Sequence, residues 1–309
     1  MVLIHLDTDL GSDTDDACAL AMLLGWPGVE IACVTTNLDT GGTRAGCAAY
    51  LLQLAGRPAV AAVAGAECSL TSGERFASTY DDERCWPASV VPAPAPPGLA
   101  LERLRESIDG GATIVAIGAF TNLAQLELEH PGSLRAARVV AMAGWLESPP
   151  PDMPQWGAAM DFNAQCDTRA TEIVAAAAGE LTLVTLPAAM HAQLRARDLP
   201  RLRAVGPVGE LLARQSEVRA LDGDMPALAR SHAGLSADLV NFHWDPVTAA
   251  VAAGWDGVTR DERVLACRVA DGIARFVDDP TGRPVTVVTS IDHAAFGDLF
   301  LARIEVAGG

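Results

Sequence analysis

Val2-Leu3-Ile4-His5-Leu6-Asp7-Thr8-Asp9-Leu10-Gly11-Ser12-Asp13-Thr14-Asp15-Asp16-Ala17-Cys18-Ala19-Leu20 follows the first methionine. Residues 2–6 are apolar apart from His5, with Val2 and Ile4 β-branched, and read as a strand. Residues 15–24 carry the apolar spacing of a helix. Five carboxylates (Asp7, Asp9, Asp13, Asp15 and Asp16) crowd the turn between the two. Strand, acidic turn and helix form the first unit of an alternating β/α chain.

The same alternation continues outward. Residues 29–35, 59–63, 112–117, 139–142 and 181–185 read as strands. Residues 43–55, 122–129, 168–178 and 247–253 read as helices. This pattern predicts one α/β domain over residues 1–309, with a mostly parallel, doubly wound (Rossmann-like) central sheet and helices on both faces. Ligands of such sheets bind beyond the carboxyl ends of the strands, where the acidic turn stands. Residues 64–98, 147–159 and 223–238 break the alternation and are expected to be loops, a common location for lids and binding segments.

Composition narrows the chemistry. The formal net charge is −17, so Coulomb repulsion opposes nucleic acid as a partner. All 22 basic residues are arginine, which excludes a P-loop lysine, a Schiff-base lysine and a lysine base. The seven cysteines include no C-x-x-C pair and fit reduced thiols. No basic segment opens the chain and no apolar run is long enough to span a bilayer, so the expectation is a cytoplasmic protein without membrane contact.

Five acids behind an apolar strand would repel one another or take up protons unless a cation joined them. Hard oxygen donors suit calcium or magnesium rather than zinc. An EF-hand is excluded, because Gly11 stands fifth from Asp7 and position twelve is Cys18. A strand ending in D-x-D also opens one class of phosphohydrolase, in which the first Asp is the nucleophile. Those enzymes rely on a basic residue, usually lysine, to hold the phosphoryl group.

With these residues in view, the chain resembles the inosine–uridine-preferring nucleoside hydrolases. Asp7-Thr8-Asp9 through Asp15-Asp16-Ala17-Cys18-Ala19-Leu20 resembles their opening motif. Ile117-Gly118-Ala119-Phe120-Thr121-Asn122-Leu123, Met142-Ala143-Gly144, Asp161-Phe162-Asn163-Ala164 and Trp244-Asp245-Pro246 resemble later motifs in the same order. The resemblance implies hydrolysis of a nucleoside's N-glycosidic bond with Ca2+ as cofactor, by a homodimer or homotetramer. It implies a calcium site of Asp9, Asp16, Asp245 and the Thr121 carbonyl, with Asp9 also the general base. It further implies that Asp15 and Asn163 hold the ribose diol, and that Asp161 and Gln155 reach the 5′-hydroxyl.

Some positions depart from the pattern. Asp161 replaces a Glu, and residues 35–40 offer Asn37 or Asp39 where the family has a sugar-binding Asn. Trp244 stands before the late Asp, with His243 one step back, and both are candidates for assisting departure of the base. A Trp there resembles the purine-preferring branch, in which stacking on the base helps it leave. Trp86, Trp145 and Trp156 are further stacking candidates, while His5, His191 and His232 read as structural. Two alternatives stand beside the hydrolase: the D-x-D phosphohydrolase, and a nucleoside- or calcium-binding protein without turnover.

Overall fold

The computed structural model describes residues 1–11, 13–76, 84–86 and 90–308. Strand and helix alternate from the start: β1 (Val2–Thr8), α1 (Asp15–Leu24), β2 (Val29–Thr36), α2 (Thr43–Leu54) and β3 (Ala62–Ala64). The chain continues through α3 (Leu99–Asp109), β4 (Thr113–Ala116), α4 (Thr121–Glu129), β5 (Arg138–Met142), α5 (Phe162–Cys166), α6 (Thr168–Ala177) and β6 (Glu180–Val184). Next come α7 (Leu186–Ala189), β7 (Gln193–Arg195), α8 (Leu199–Arg203), α9 (Pro207–Asp222), α10 (Met225–Ser231), β8 (Leu239–Phe242) and α11 (Trp244–Ala252). The remainder is β9 (Val258–Ala270), β10 (Ile273–Asp278), β11 (Arg283–Ile291) and α12 (His293–Gly308).

Nine strands form one sheet in the order β10-β9-β11-β6-β5-β4-β1-β2-β3. β1 to β6 and β11 run parallel, and β9 and β10 close one edge antiparallel. The strand order runs away from β1 in both directions, through β2 on one side and β4 on the other. That reversal opens a crevice at the end of β1, the usual ligand position in such sheets. The expected doubly wound α/β architecture is therefore present, with the acidic turn at its switch point.

The period-two alternation of the strands sorts their side chains between two cores. Ile4, Leu6, Val115, Ile117, Val140 and Met142 enter one, against α1, α2, α9, α11 and α12. Ile114, Ala116, Val139, Ala141, Leu181 and Leu183 enter the other, against α3, α4 and α6. Among the described residues no helix is long and apolar enough to cross a membrane.

Two local expectations change. Residues 223–238 contain α10, started by the Asp224 carboxylate accepting from the Ala227 amide at 3.3 Å. The third strand is confined to Ala62–Ala64, since it pairs only with Val34–Thr36.

Candidate active site

The helices that follow β1 and β8 both begin at the crevice. Asp15 and Asp16 occupy the first turn of α1, and Asp245 the first turn of α11. Each of these three buried carboxylates offers an oxygen within 4.8 Å of the others. Partial positive charge at two helix N-termini favours anions there, but not enough to offset their crowding. Burial, and then neighbouring carboxylates, push all three well above the usual carboxylate range. Thr8 in β1 donates its hydroxyl to Asp16, which fixes that side chain.

Asp9 lies beside this trio rather than within it. It is 12% exposed, and its Oδ2 faces Arg44 Nη1 at 4.0 Å. Burial raises its carboxyl and Arg44 opposes the rise. Arg44, which is buried, also donates to the Asp9 carbonyl and, at 3.1 Å, to the Leu38 carbonyl. Asp13 is the outer member of the cluster. It accepts from Asn241 at 2.9 Å and pairs with Arg219 of α9 at 2.8 Å.

The fit to a cation follows from this donor set. Buried, hard carboxylate oxygens under mutual repulsion suit a divalent ion of the calcium or magnesium type.

Beneath the site, Asp7 ties the strand ends together. It is fully buried and accepts from the Thr35 hydroxyl (2.6 Å), the Asn122 amide (2.7 Å) and the Asn37 amide (3.2 Å). Burial pushes its carboxyl up to about 6 against the pull of these donors. His5 Nε2 lies 2.9 Å from the Thr35 hydroxyl, and Ser107 of α3 lies 2.8 Å from its Nδ1. Because Thr35 donates to Asp7, it accepts from His5, which places the imidazole proton on Nε2. Asn37 in turn accepts from the Ala119 amide at 3.0 Å. The turn from β4 to α4 is thereby drawn against the acidic loop. A Cβ on Gly118 would stand 2.7 Å from the Asp9 nitrogen, so only glycine allows this approach.

Thr121 is the first residue of α4, and its hydroxyl donates to Asp167 at 2.9 Å. Asn163, at the start of α5, donates to the Met142 carbonyl at the end of β5 (3.0 Å). Asp161 caps that helix, accepting from Ala164 (3.3 Å) and Gly144 (2.7 Å), and burial pushes its carboxyl up to about 6. Trp244 is half-buried, its ring tilted 32° to that of Phe242 with centroids 4.7 Å apart. Trp156 meets the same Phe242 edge-on at 6.1 Å.

Several candidates receive other tasks. His243 is buried against Phe296 and Phe300, with centroids 5.6 and 4.2 Å away, and burial lowers it to about 3. It is neutral at physiological pH and a poor proton donor to a leaving base. Asp39 spends its oxygens on the Thr36 hydroxyl and on the Arg44 and Ala45 amides that open α2. Gln155 donates to the carbonyls of Pro149, Pro150 and Met153, so it braces its own turn. Trp86 is a core residue that donates to the Gly11 carbonyl at 3.2 Å. Nothing in the sequence marks Arg44 or Asp167, and Asn37, a candidate for the sugar, spends its amide on Asp7 and Ala119 instead. A cavity of about 380 Å³ between residues 64–68 and 94–98 is lined by none of the clustered acids.

Residues 4–298 match the family model described as inosine-uridine preferring nucleoside hydrolase. The chain belongs to the inosine-uridine preferring nucleoside hydrolase family. A pyrimidine-specific ribonucleoside hydrolase, RihA of Salmonella enteritidis, is 30% identical over 319 residues, covering 98% of each chain. A purine-preferring ribonucleoside hydrolase from Gardnerella vaginalis shares the fold, with a TM-score of 0.80, 19% identity and 99% of both chains covered. A plant nucleoside hydrolase has a TM-score of 0.77 at 20% identity, covering 98% of each chain. As a nucleoside hydrolase the chain is a hydrolase of ribonucleoside N-glycosyl bonds, which sets the phosphohydrolase alternative aside.

Proposed function

We propose that this nucleoside hydrolase is calcium-dependent and favours purine nucleosides. The convergence of Asp15, Asp16 and Asp245 carries the metal part of the reading. Asp16, Asp245, Asp9 and the Thr121 carbonyl would hold the ion, and Asp15 would hold the ribose diol. A bound calcium ion supplies a lowered pKa for water and a grip on vicinal hydroxyls.

The chain's own groups supply the rest. Asp9 accepts the proton of the attacking water, and Arg44 beside it opposes the rise that burial imposes on its carboxyl. Asp15 and Asn163 orient the ribose hydroxyls. Asp161, held by two backbone amides, orders the turn that presents Asn163. As the base departs, positive charge grows on the sugar, and the surrounding carboxylates stabilise it. Trp244, braced on Phe242, offers an aromatic face to the departing base, and a purine presents the larger ring system to it.

The test is a panel of inosine, adenosine, guanosine, uridine and cytidine, assayed for free base with calcium, with magnesium and with chelator. The expected result is release from all purines with calcium, at higher kcat/KM than from the pyrimidines, and loss of activity on chelation. Faster cleavage of uridine or cytidine than of every purine would overturn the purine preference. Full activity in chelator would overturn the metal site. Stabilisation by nucleosides without any release of base would leave only binding.

A further inference from the structure

Asp167 joins α5 to α6 and is fully buried. Its carboxylate accepts five hydrogen bonds. Oδ1 receives the Thr71 amide (3.1 Å), the Thr71 hydroxyl (2.8 Å) and the Ala170 amide (3.2 Å). Oδ2 receives the Leu70 amide (2.7 Å) and the Thr121 hydroxyl (2.9 Å). The Ala170 contact is an ordinary helix cap and accounts for one donor. The other four come from the segment after β3 and from the first residue of α4, both distant in sequence. A buried carboxylate with so many donors is held rigidly and holds its donors rigidly in return.

The consequence lies at Thr121. Its turn rests against Asp9 through Gly118, and its neighbour Asn122 is anchored on Asp7. The Thr121 hydroxyl is the remaining handle on that backbone, and Asp167 occupies it. We propose that Asp167 is a positioning residue for the metal site, fixing the Thr121 carbonyl through the Thr121 side chain. This rests on the reading of that carbonyl as a ligand of the ion. Groups that orient metal ligands in this way typically contribute tenfold to hundredfold in affinity.

Calcium titration calorimetry of the metal-free protein tests it, alongside thermal unfolding. Thr121→Val keeps the carbonyl and the α6 cap but removes the hydroxyl. It should weaken calcium binding about tenfold or more, whereas Thr121→Ser should bind within about threefold of the wild type because its hydroxyl still reaches Asp167. Asp167→Asn should weaken binding at least as much as Thr121→Val. The double variant should be no weaker than Asp167→Asn alone, since both changes cut the same contact. If Asp167→Asn fails to fold, the Thr121 pair decides by itself. A folded Thr121→Val that binds calcium as tightly as the wild type overturns the inference, and so does Thr121→Ser losing as much as Thr121→Val. Failure of the wild type to bind calcium or magnesium brings down the metal reading itself, and the inference with it.

Discussion

Asp9 stands between the Arg44 guanidinium and the carboxylates of α1 and α11. Burial raises its carboxyl as it does those of its neighbours, but Arg44 opposes the rise. Asp9→Asn preserves the volume and removes the proposed base, and turnover should fall by a factor of about 10² to 10⁴. Wild-type kcat on inosine in a correctly folded variant would refute the assignment. Trp244 can be examined the same way. Trp244→Ala should reduce kcat/KM for inosine more than for p-nitrophenyl riboside, whose leaving group needs no help. Equal losses would argue against assistance at the base. The convergence of Asp15, Asp16 and Asp245 was legible in the sequence because crowded carboxylates demand a chemical reason. His243, Asp39 and Gln155 misled because a residue type does not reveal which atoms its own fold has already engaged. Asp167 and Arg44 escaped notice for the opposite reason, since their partners lie on other strands and loops.

At the scale of elements, the turn between β4 and α4 matters most. It lies against the acidic loop only because residue 118 lacks a side chain. Gly118→Ala would place a methyl 2.6 Å from Asn37 Oδ1 and 2.7 Å from the Asp9 nitrogen. Backbone on one side and a doubly bonded amide on the other give little room to relax. The variant should lose about 1–3 kcal/mol of stability in urea unfolding, and turnover should fall with it. A stable and fully active variant would show that the turn does not press on the acidic loop. The parallel strands were readable from their apolar runs, because burial on both faces leaves a continuous signal. The start of α10 was also present in the sequence as Asp224-Met225-Pro226, a cap followed by proline. Its seven residues are too short to show a helical period against polar surroundings. The β9–β11 edge was not assigned, since half-exposed strands carry a weaker apolar signal than buried ones.

For the molecule as a whole, the crevice is where the first helix and the late helix α11 meet, so the site's charge acts on the entire fold. Asp15, Asp16 and Asp245 have folded-state pKa values raised well above the ordinary 3.8. Below that ordinary value both folded and unfolded chains hold these protons, and no stability difference arises. As pH rises through the window, the unfolded chain sheds protons that the metal-free native state retains. Stability from these groups therefore falls with rising pH. Calcium bound as proposed would remove the penalty by replacing the protons, and its binding would strengthen as the carboxylates ionise. Other buried groups titrate too, with His5 lowered to about 3 and Asp7 raised to about 6, but they are common to both forms and largely cancel in a comparison. The Tm gap between calcium-loaded and chelated protein should thus widen steadily from about pH 5 to pH 7.5. With calcium at a hundred times its Kd, the linkage is worth about 2.7 kcal/mol, enough for a shift of several degrees. A gap that stays constant or narrows over that range would mean that no ion relieves the repulsion among these carboxylates.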